Sequence, residues 1–394
     1  MAVDLLVSAP ADTRRLKIAV ATAGIASFAL LYAPQPVLPQ LAEQYHLDPG
    51  GASLAVSVAT GALAIAVLPI AALSEIVGRR PVIMTSVIAS AVLGLLLPLA
   101  PTYPALLVLR VIQGVAIAGF PGVAAAYLVE QLGKTGVAAA VGAMIAGNSV
   151  GGMLGRLCAG FSADALGYHG ALTVVGVVGL IFSMITVFTL PASPPRERAH
   201  EPLKRALRGV GAALAKPVLL AQYAVAMLAM GAFVAMYNAA GFRLTGHPLD
   251  LPPAIASLVF LAYATGSVSS ATVGKLVGRF GRPRAAIGAL LVTAAGILLT
   301  LPDSLPLVVL GFVVLTGGFF AAHAVANGWT AAEAPANARG QASGTYTLTY
   351  YLGSSVGGTV GSVVYAHAGW SWLVAAAVAW LFVAVLVVTL VGRR

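Results

Sequence analysis

The sequence predicts an all-α membrane protein whose twelve transmembrane helices form two six-helix bundles, and three observations carry that expectation. The 394 residues are 59% hydrophobic and 9% charged, with a mean hydropathy of +0.95, where an average soluble domain has roughly 25% charged residues. The apolar residues gather into runs of about 20, the length that crosses roughly 30 Å of hydrocarbon as a helix. The basic residues stand between alternate runs, as expected when cytoplasmic loops retain Lys and Arg. A soluble enzyme is excluded.

The first run, 17-41, follows Arg14, Arg15 and Lys17. It exceeds the roughly 7–15-residue apolar core of a cleaved signal and is expected to remain as a first span. The next five runs fall near 52-74, 81-99, 103-129, 137-162 and 169-190, and a second set near 217-241, 252-277, 284-301, 305-330, 340-365 and 370-391. Each is continuously apolar, whereas barrel strands are about 10 residues long and alternate in polarity. In lipid every backbone polar group needs an internal partner, which a helix supplies within itself. The stretch from Pro191 to Lys216 holds Pro191, Pro194 and Pro195 and six basic residues. It is expected to be a cytoplasmic linker (191-216) between an N-terminal bundle (1-190) and a C-terminal bundle (217-394).

With the N-terminus inside, 19 of the 22 basic residues fall on the cytoplasmic side. They include Arg79, Arg80, Lys134, the linker residues, Lys275, Arg279, Arg282, Arg284, Arg339, Arg393 and Arg394. The expected location is therefore the plasma (inner) membrane, multi-pass, with both termini cytoplasmic. The net charge of +10 is then a lipid-facing property, and no nucleic-acid partner is expected. A single cysteine, Cys158, excludes a disulfide framework and a cysteine-rich metal site. There is no Gly-x-x-x-x-Gly-Lys-Ser/Thr phosphate loop, the six histidines are dispersed, and no nucleophile stands with a base. No cofactor, metal or catalytic residue is expected, and the protein is expected to be a monomer.

The two halves repeat each other. Gly78 and Gly281 are 203 residues apart, as are Glu130 and Glu333, and Gly114 and Gly317. The run from Gly147 to Gly152 returns 206 residues later from Gly353 to Gly358. Six spans per half set both halves the same way up, about an axis normal to the membrane, with a cavity between them.

Three motifs sharpen this reading. Between spans two and three stand Ala71, Leu73, Glu75, Gly78, Arg79 and Arg80; span four carries Arg110, Gln113 and Gly114; span five carries Gly147, Asn148, Gly151 and Gly155. These resemble, respectively, the Gly-x-Leu-x-Asp-Arg-x-Gly-Arg-Arg loop, the Arg-x-x-Gln-Gly motif and the Gly-Pro-x-x-Gly-Gly signature of the major facilitator superfamily, in its drug:proton antiporter branch. The departures are Ala71, Glu75 and Ile76 in the loop and Asn148 where proline is expected. The resemblance implies a gating role for Glu75, Gly78, Arg79 and Arg80, repeated at Gly281 and Arg282 but without the acid, since Gly278 replaces it. It also implies proton or substrate coupling for Arg110. A basic topogenic loop explains the loop arginines equally, and glycines four apart also serve close helix packing.

Arg110 and Arg156 are expected at similar depth, near Tyr32 and Gln35 of span one, with no mid-membrane carboxylate to neutralise them. Arginine inside a membrane is expensive, so the pair points either to an anionic ligand or to clamps on main-chain carbonyls. The expected substrate contacts are Arg110, Gln113, Asn148, Arg156, Gln35, Tyr32, Tyr237, Asn238 and Tyr351. A coupled proton would need Asp164 or His323, since arginine does not titrate usefully. The expected function is secondary active transport of a small organic molecule by alternating access, as proton-coupled efflux. An organic-anion uniporter or symporter is the second reading. A non-transporting membrane sensor, marked by an appended signalling domain, is the third.

Overall fold

The computed structural model describes residues 10–192, 202–336 and 338–392, less the side chains at 10–12, 133–136, 138 and 202–206. Arg196, Arg198, Arg393, Arg394 and the side chains of Lys134, Lys204 and Arg205, part of the charge map, lie outside the described residues. The first half comprises α1 (Pro10–Tyr32), a 3-10 turn (Gln35–Val37), α2 (Leu38–Tyr45), α3 (Pro49–Val77), α4 (Arg79–Leu96), α5 (Tyr103–Ala118) and α6 (Ala124–Thr189). After α7 (Pro202–Leu214) come α8 (Pro217–Thr245), α9 (Pro253–Ser257), α10 (Tyr263–Phe280), α11 (Arg282–Leu299), α12 (Leu305–Glu333), α13 (Arg339–Ala368) and α14 (Trp370–Gly392). No strand occurs among the described residues.

Local chemistry sets the boundaries. Asp48 accepts from the Gly51 amide ahead of Pro49, and Thr102 from the Ala105 amide ahead of Pro104, each pairing an N-cap with a proline that gives up no needed donor. Gly78 (φ +99°) and Gly281 (φ +78°) turn α3 into α4 and α10 into α11. Both occupy backbone conformations that side-chain-bearing residues rarely adopt, so the 203-residue repeat is a repeat of two corners.

Among the described residues nine helices are long and apolar enough to cross a membrane, against the twelve expected, and the differences have physical causes. Tyr103–Ala118 is apolar but short. Arg339–Ala368 is long enough, but its glycines, serines, threonines and tyrosines dilute its hydropathy. The third cause lies in α6, whose 66 residues would run about 100 Å if straight. They do not run straight. Cβ atoms added at Gly147, Gly151 and Gly155 would meet Ala21, Ile25 and Ala29 in turn, a parallel approach to α1. A Cβ at Gly179 would meet Leu30, and Thr186 bonds Thr22 at 2.9 Å, an antiparallel approach to the same helix. The chain therefore doubles back between 155 and 179, where Gly167 takes φ +61°.

The glycines of the internal repeat are packing sites in both halves. Added Cβ atoms at Gly353, Gly357 and Gly361 would collide with Met227, Gly231 and Ala235 of α8, contacts displaced from those of Gly147, Gly151 and Gly155 by the same 206 residues. Small residues let two backbones close to this distance. Gly357→Ala is expected to destabilise the fold by about 1–3 kcal/mol through overpacking. Gly142→Ala, where no atom lies within 4 Å, should be neutral or slightly stabilising. Thermal unfolding of the two purified variants in detergent checks both.

The halves meet along α3 and α13, where Gly50 faces Val363, Ser355 donates to the Ser57 carbonyl at 2.7 Å, and Leu68 faces Gly344. A second junction joins α6 to α9, the short helix leading into α10. At the end remote from the basic corners Gly160 abuts Ser257, and the Ala254 amide donates to Asp164 at 3.2 Å. Toward the basic end, Gly142 and Ile145 on α6 and Ala264, Ser267, Ala271, Gly274 and Gly278 on α10 are all exposed. The Gly160–Ser257 and Asp164–Ala254 contacts thus join the two halves at the end remote from the basic corners.

Candidate functional site

Near this junction of the halves the sequence-predicted residues divide into two sets. Arg156, from the outward-running stretch of α6, is 1% exposed. Its Nε donates to Gln35 Oε1 at 2.5 Å and its Nη1 to the Gly152 carbonyl at 2.7 Å. Its guanidinium carbon lies 4.1 Å from the centre of the Tyr32 ring, 4.6 Å from that of Tyr263 and 5.3 Å from that of Phe260, within range for cation–π attraction. Gln35 in turn donates to Asn238 Oδ1 at 2.7 Å. Because Gln35 follows α1 and Asn238 sits on α8, this bond joins the two halves. Tyr32, Gln35, Arg156 and Asn238 are thus brought together.

Polar atoms without partners surround this group. Asn238 Nδ2 and Ser57 Oγ are buried and bond nothing among the described residues, and the buried Ser354 hydroxyl lies close to Tyr32. A Cβ on Gly358 would lie 2.9 Å from Asn238 Nδ2 and 3.5 Å from Ser57 Oγ, so the glycine leaves a gap between two unsatisfied groups. Such groups are costly to bury unpaired. No described Asp or Glu pairs with Arg156, and no described cluster of His, Cys, Asp and Glu has the makeup of a metal site.

Arg110 answers to the other sequence alternative. It is 0% exposed, and its donors go to the carbonyls of Ala55 (2.6 Å), Leu30 (3.1 Å) and Leu31, and to Gln113 Oε1. Leu30 and Leu31 lie in the last turn of α1, whose carbonyls lack helical partners, so the guanidinium caps a helix end. Gln113 is held from its other side, donating to the Ser90 carbonyl at 3.0 Å. Both arginines reach the turn from Leu30 to Tyr32, as their expected equal depth implies. Arg110 is fastened within the first bundle, however, with four of its five N–H groups engaged.

The remaining candidates are dispersed. Tyr237 is buried and bonds Thr316 at 2.7 Å inside the second bundle. Tyr351 is buried, with its ring 5.2 Å from that of Tyr350. Asn148 packs against Gly24 with Oδ1 unpartnered. His323 lies 3.0 Å from the Tyr346 hydroxyl, at a small cavity lined also by Phe319, Tyr350 and Ala229. Asp164 is exposed and reaches across to the Ala254 amide of the other half. The gating residues form contacts inside each half. Arg79 pairs with Glu130 at 2.8 Å and Arg282 with Glu333 at 3.6 Å, a duplicated pair at the 203-residue offset, while Arg80 donates to the Leu190 carbonyl at 3.2 Å and Glu75 is half-buried at the end of α3. Sequence reasoning left Phe260, Ser57 and Ser354 out of the site; an aromatic or a serine in an apolar run carries no signal until its opposing helix is known.

A family model described as Major Facilitator Superfamily matches residues 20–245 and 239–394. The inner membrane transport protein YnfM of Escherichia coli (strain K12) is 36% identical over 383 residues, covering 96% of this chain and 91% of that protein. The MFS-type transporter YybF of Bacillus subtilis (strain 168) is 36% identical over 337 residues, covering 84% and 82%. Among solved structures, a bacterial homolog of the human lysosomal transporter Spinster, in an inward-facing and unoccupied conformation, superposes with a TM-score of 0.82 at 16% identity over 98% of both chains. The human organic anion transporter MFSD10 superposes with a TM-score of 0.72 at 18% identity, over 97% of this chain and all of that one.

Proposed function

Because the chain belongs to the Major Facilitator Superfamily and is a multi-pass membrane transporter, we propose that it moves a small organic molecule bearing an anionic group, by alternating access about the site at Arg156. The carrying observation is a buried guanidinium with no acidic partner among the described residues, bonded through Gln35 to the opposite half. A desolvated cation of this kind is costly alone and strongly favours a carboxylate or similar acceptor. On the twelve-crossing reading, with bundles 1-190 and 217-394 and the linker inside, the basic face is cytoplasmic, and we read the exposed stretches of α6 and α10 at that face as the walls of a cleft open to the cytoplasm. Loading from that side is what efflux requires. The paired Arg79–Glu130 and Arg282–Glu333 corners then stiffen the cytoplasmic ends of each bundle, and movement of Glu75 among them would bias the two states.

In the lead reading a proton returns as the molecule leaves, carried by His323 or Asp164. The organic-anion uniporter or symporter reading has one observation in its favour: no described carboxylate reaches the Arg156 group, and Asp164 sits at the outer end of the cleft. A thermal-shift screen of the purified protein against cationic, neutral and anionic compounds tests the substrate class, with anions expected to raise the unfolding temperature; stabilisation by cations alone would refute it. For the bound anions, proteoliposome flux that ignores an imposed pH gradient at fixed membrane potential would replace proton coupling with uniport. Absence of any flux would favour a ligand sensor.

A further inference from the structure

The anion reading leaves open what the rest of the molecule looks like, and the surroundings of Arg156 narrow it. With Nε on Gln35 and Nη1 on Gly152, the Nη2 group donates to nothing among the described residues. Rings of Tyr32, Tyr263 and Phe260 lie over the guanidinium carbon, so the free approach is along the guanidinium edge. An edge presenting parallel N–H groups matches the two oxygens of a planar carboxylate. Arg110 is already spent on main-chain carbonyls, which leaves one cation for one negative charge.

From Arg156 a continuous file of rings leads into the second bundle. Tyr263 lies 5.7 Å from Phe320, Phe320 5.3 Å from Phe319, Phe319 6.3 Å from Tyr350, and Tyr350 4.7 Å from His323. Phe320, His323 and Tyr350 are only half-buried, and the file ends at a narrow gap among Phe319, His323, Tyr346 and Tyr350 that has no room for a water molecule in this conformation. Ring faces and edges at these spacings favour a flat π-system over a saturated one of equal size. Resting on the anion reading, we propose that the site takes an aromatic monocarboxylate, its carboxylate on the open edge of Arg156 and its ring along Phe320 and Tyr350.

The test measures binding of four probes to the purified full-length protein by calorimetry: phenylpropionate, its amide, cyclohexylpropionate and the dianion phenylsuccinate. Phenylpropionate is expected to bind about tenfold or more tighter than the amide and about three- to tenfold tighter than cyclohexylpropionate, with phenylsuccinate weaker. In Phe320→Leu and Tyr350→Leu the ratio of phenyl to cyclohexyl affinity should fall toward one while the ratio of acid to amide persists, an outcome that a merely misfolded variant would not give. If cyclohexylpropionate binds as well as phenylpropionate and neither variant changes the ratio, the aromatic inference is wrong and the anion reading stands. If only the amide binds, the anion reading itself fails. If none binds at millimolar concentration, the aromatic inference is overturned and the charge-class screen still decides the other.

Discussion

Arg110→Ala is expected to remove most recoverable folded protein. The side chain is fully buried and supplies hydrogen bonds to the carbonyls of Leu30, Leu31 and Ala55 and to the Gln113 amide oxygen. Each acceptor left bare in a low-dielectric interior costs about 1–3 kcal/mol, and deleting one member of a buried charged network commonly costs about 3–5 kcal/mol. Against total stabilities of about 5–15 kcal/mol that loss is severe. Arg110→Lys should recover only part, because a single ammonium cannot span three carbonyls in a planar fork. Size-exclusion profiles and unfolding temperatures in detergent check the pair. A well-folded Arg110→Ala protein that has lost anion binding would reassign the residue from clamp to ligand contact.

Arg156→Gln should do the reverse. Among the described residues its guanidinium hydrogen-bonds Gln35 and the Gly152 carbonyl and lies against three rings; a glutamine amide can still donate to one of those acceptors and pack on the rings without a buried charge, so the unfolding temperature should move little. Losing a desolvated charge-assisted bidentate contact should weaken binding of the carboxylate probe by about a hundredfold, at roughly 2–3 kcal/mol. Flux in proteoliposomes should fall with it. Stability and transport measured on both arginine variants would cross over, and flux within a fewfold of the parent in Arg156→Gln would remove the site from the pathway.

Much of this was legible in the sequence because it depends on one-dimensional patterns. Hydropathy marks the spans, and the 203- and 206-residue offsets mark the duplication, which returns in space as matching glycine contacts and matching Arg–Glu corners. Helix rise also places Arg110 and Arg156 at one depth, and both meet the end of α1. Their different surroundings were not legible. Whether a guanidinium meets carbonyls or rings depends on which helices face it, and spacing along one chain does not carry that information. Phe260 and Tyr263 face Arg156 because the chain from α9 into α10 packs on α6 at Gly160 and Asp164. Asn148, read against an expected proline, packs on Gly24 within an unbroken helix.

The exposed face of α10 toward the basic end is built from Ala264, Ser267, Ala271, Gly274 and Gly278. Glycine and alanine have no rotamers to freeze on contact, whereas long side chains lose up to about 2 kcal/mol each. If this face meets α6 when the basic end shuts, the closure is nearly free of ordering penalty, and separation releases almost nothing. A carrier that cycles must keep its forms close in energy, because a gap of about 2.7 kcal/mol between them would already hold 99 molecules in 100 in one form. On the alternating-access proposal, a bare face of this kind would keep the two forms close in free energy without any compensating bond, so that the modest energy of one bound molecule would be enough to decide which way the site opens.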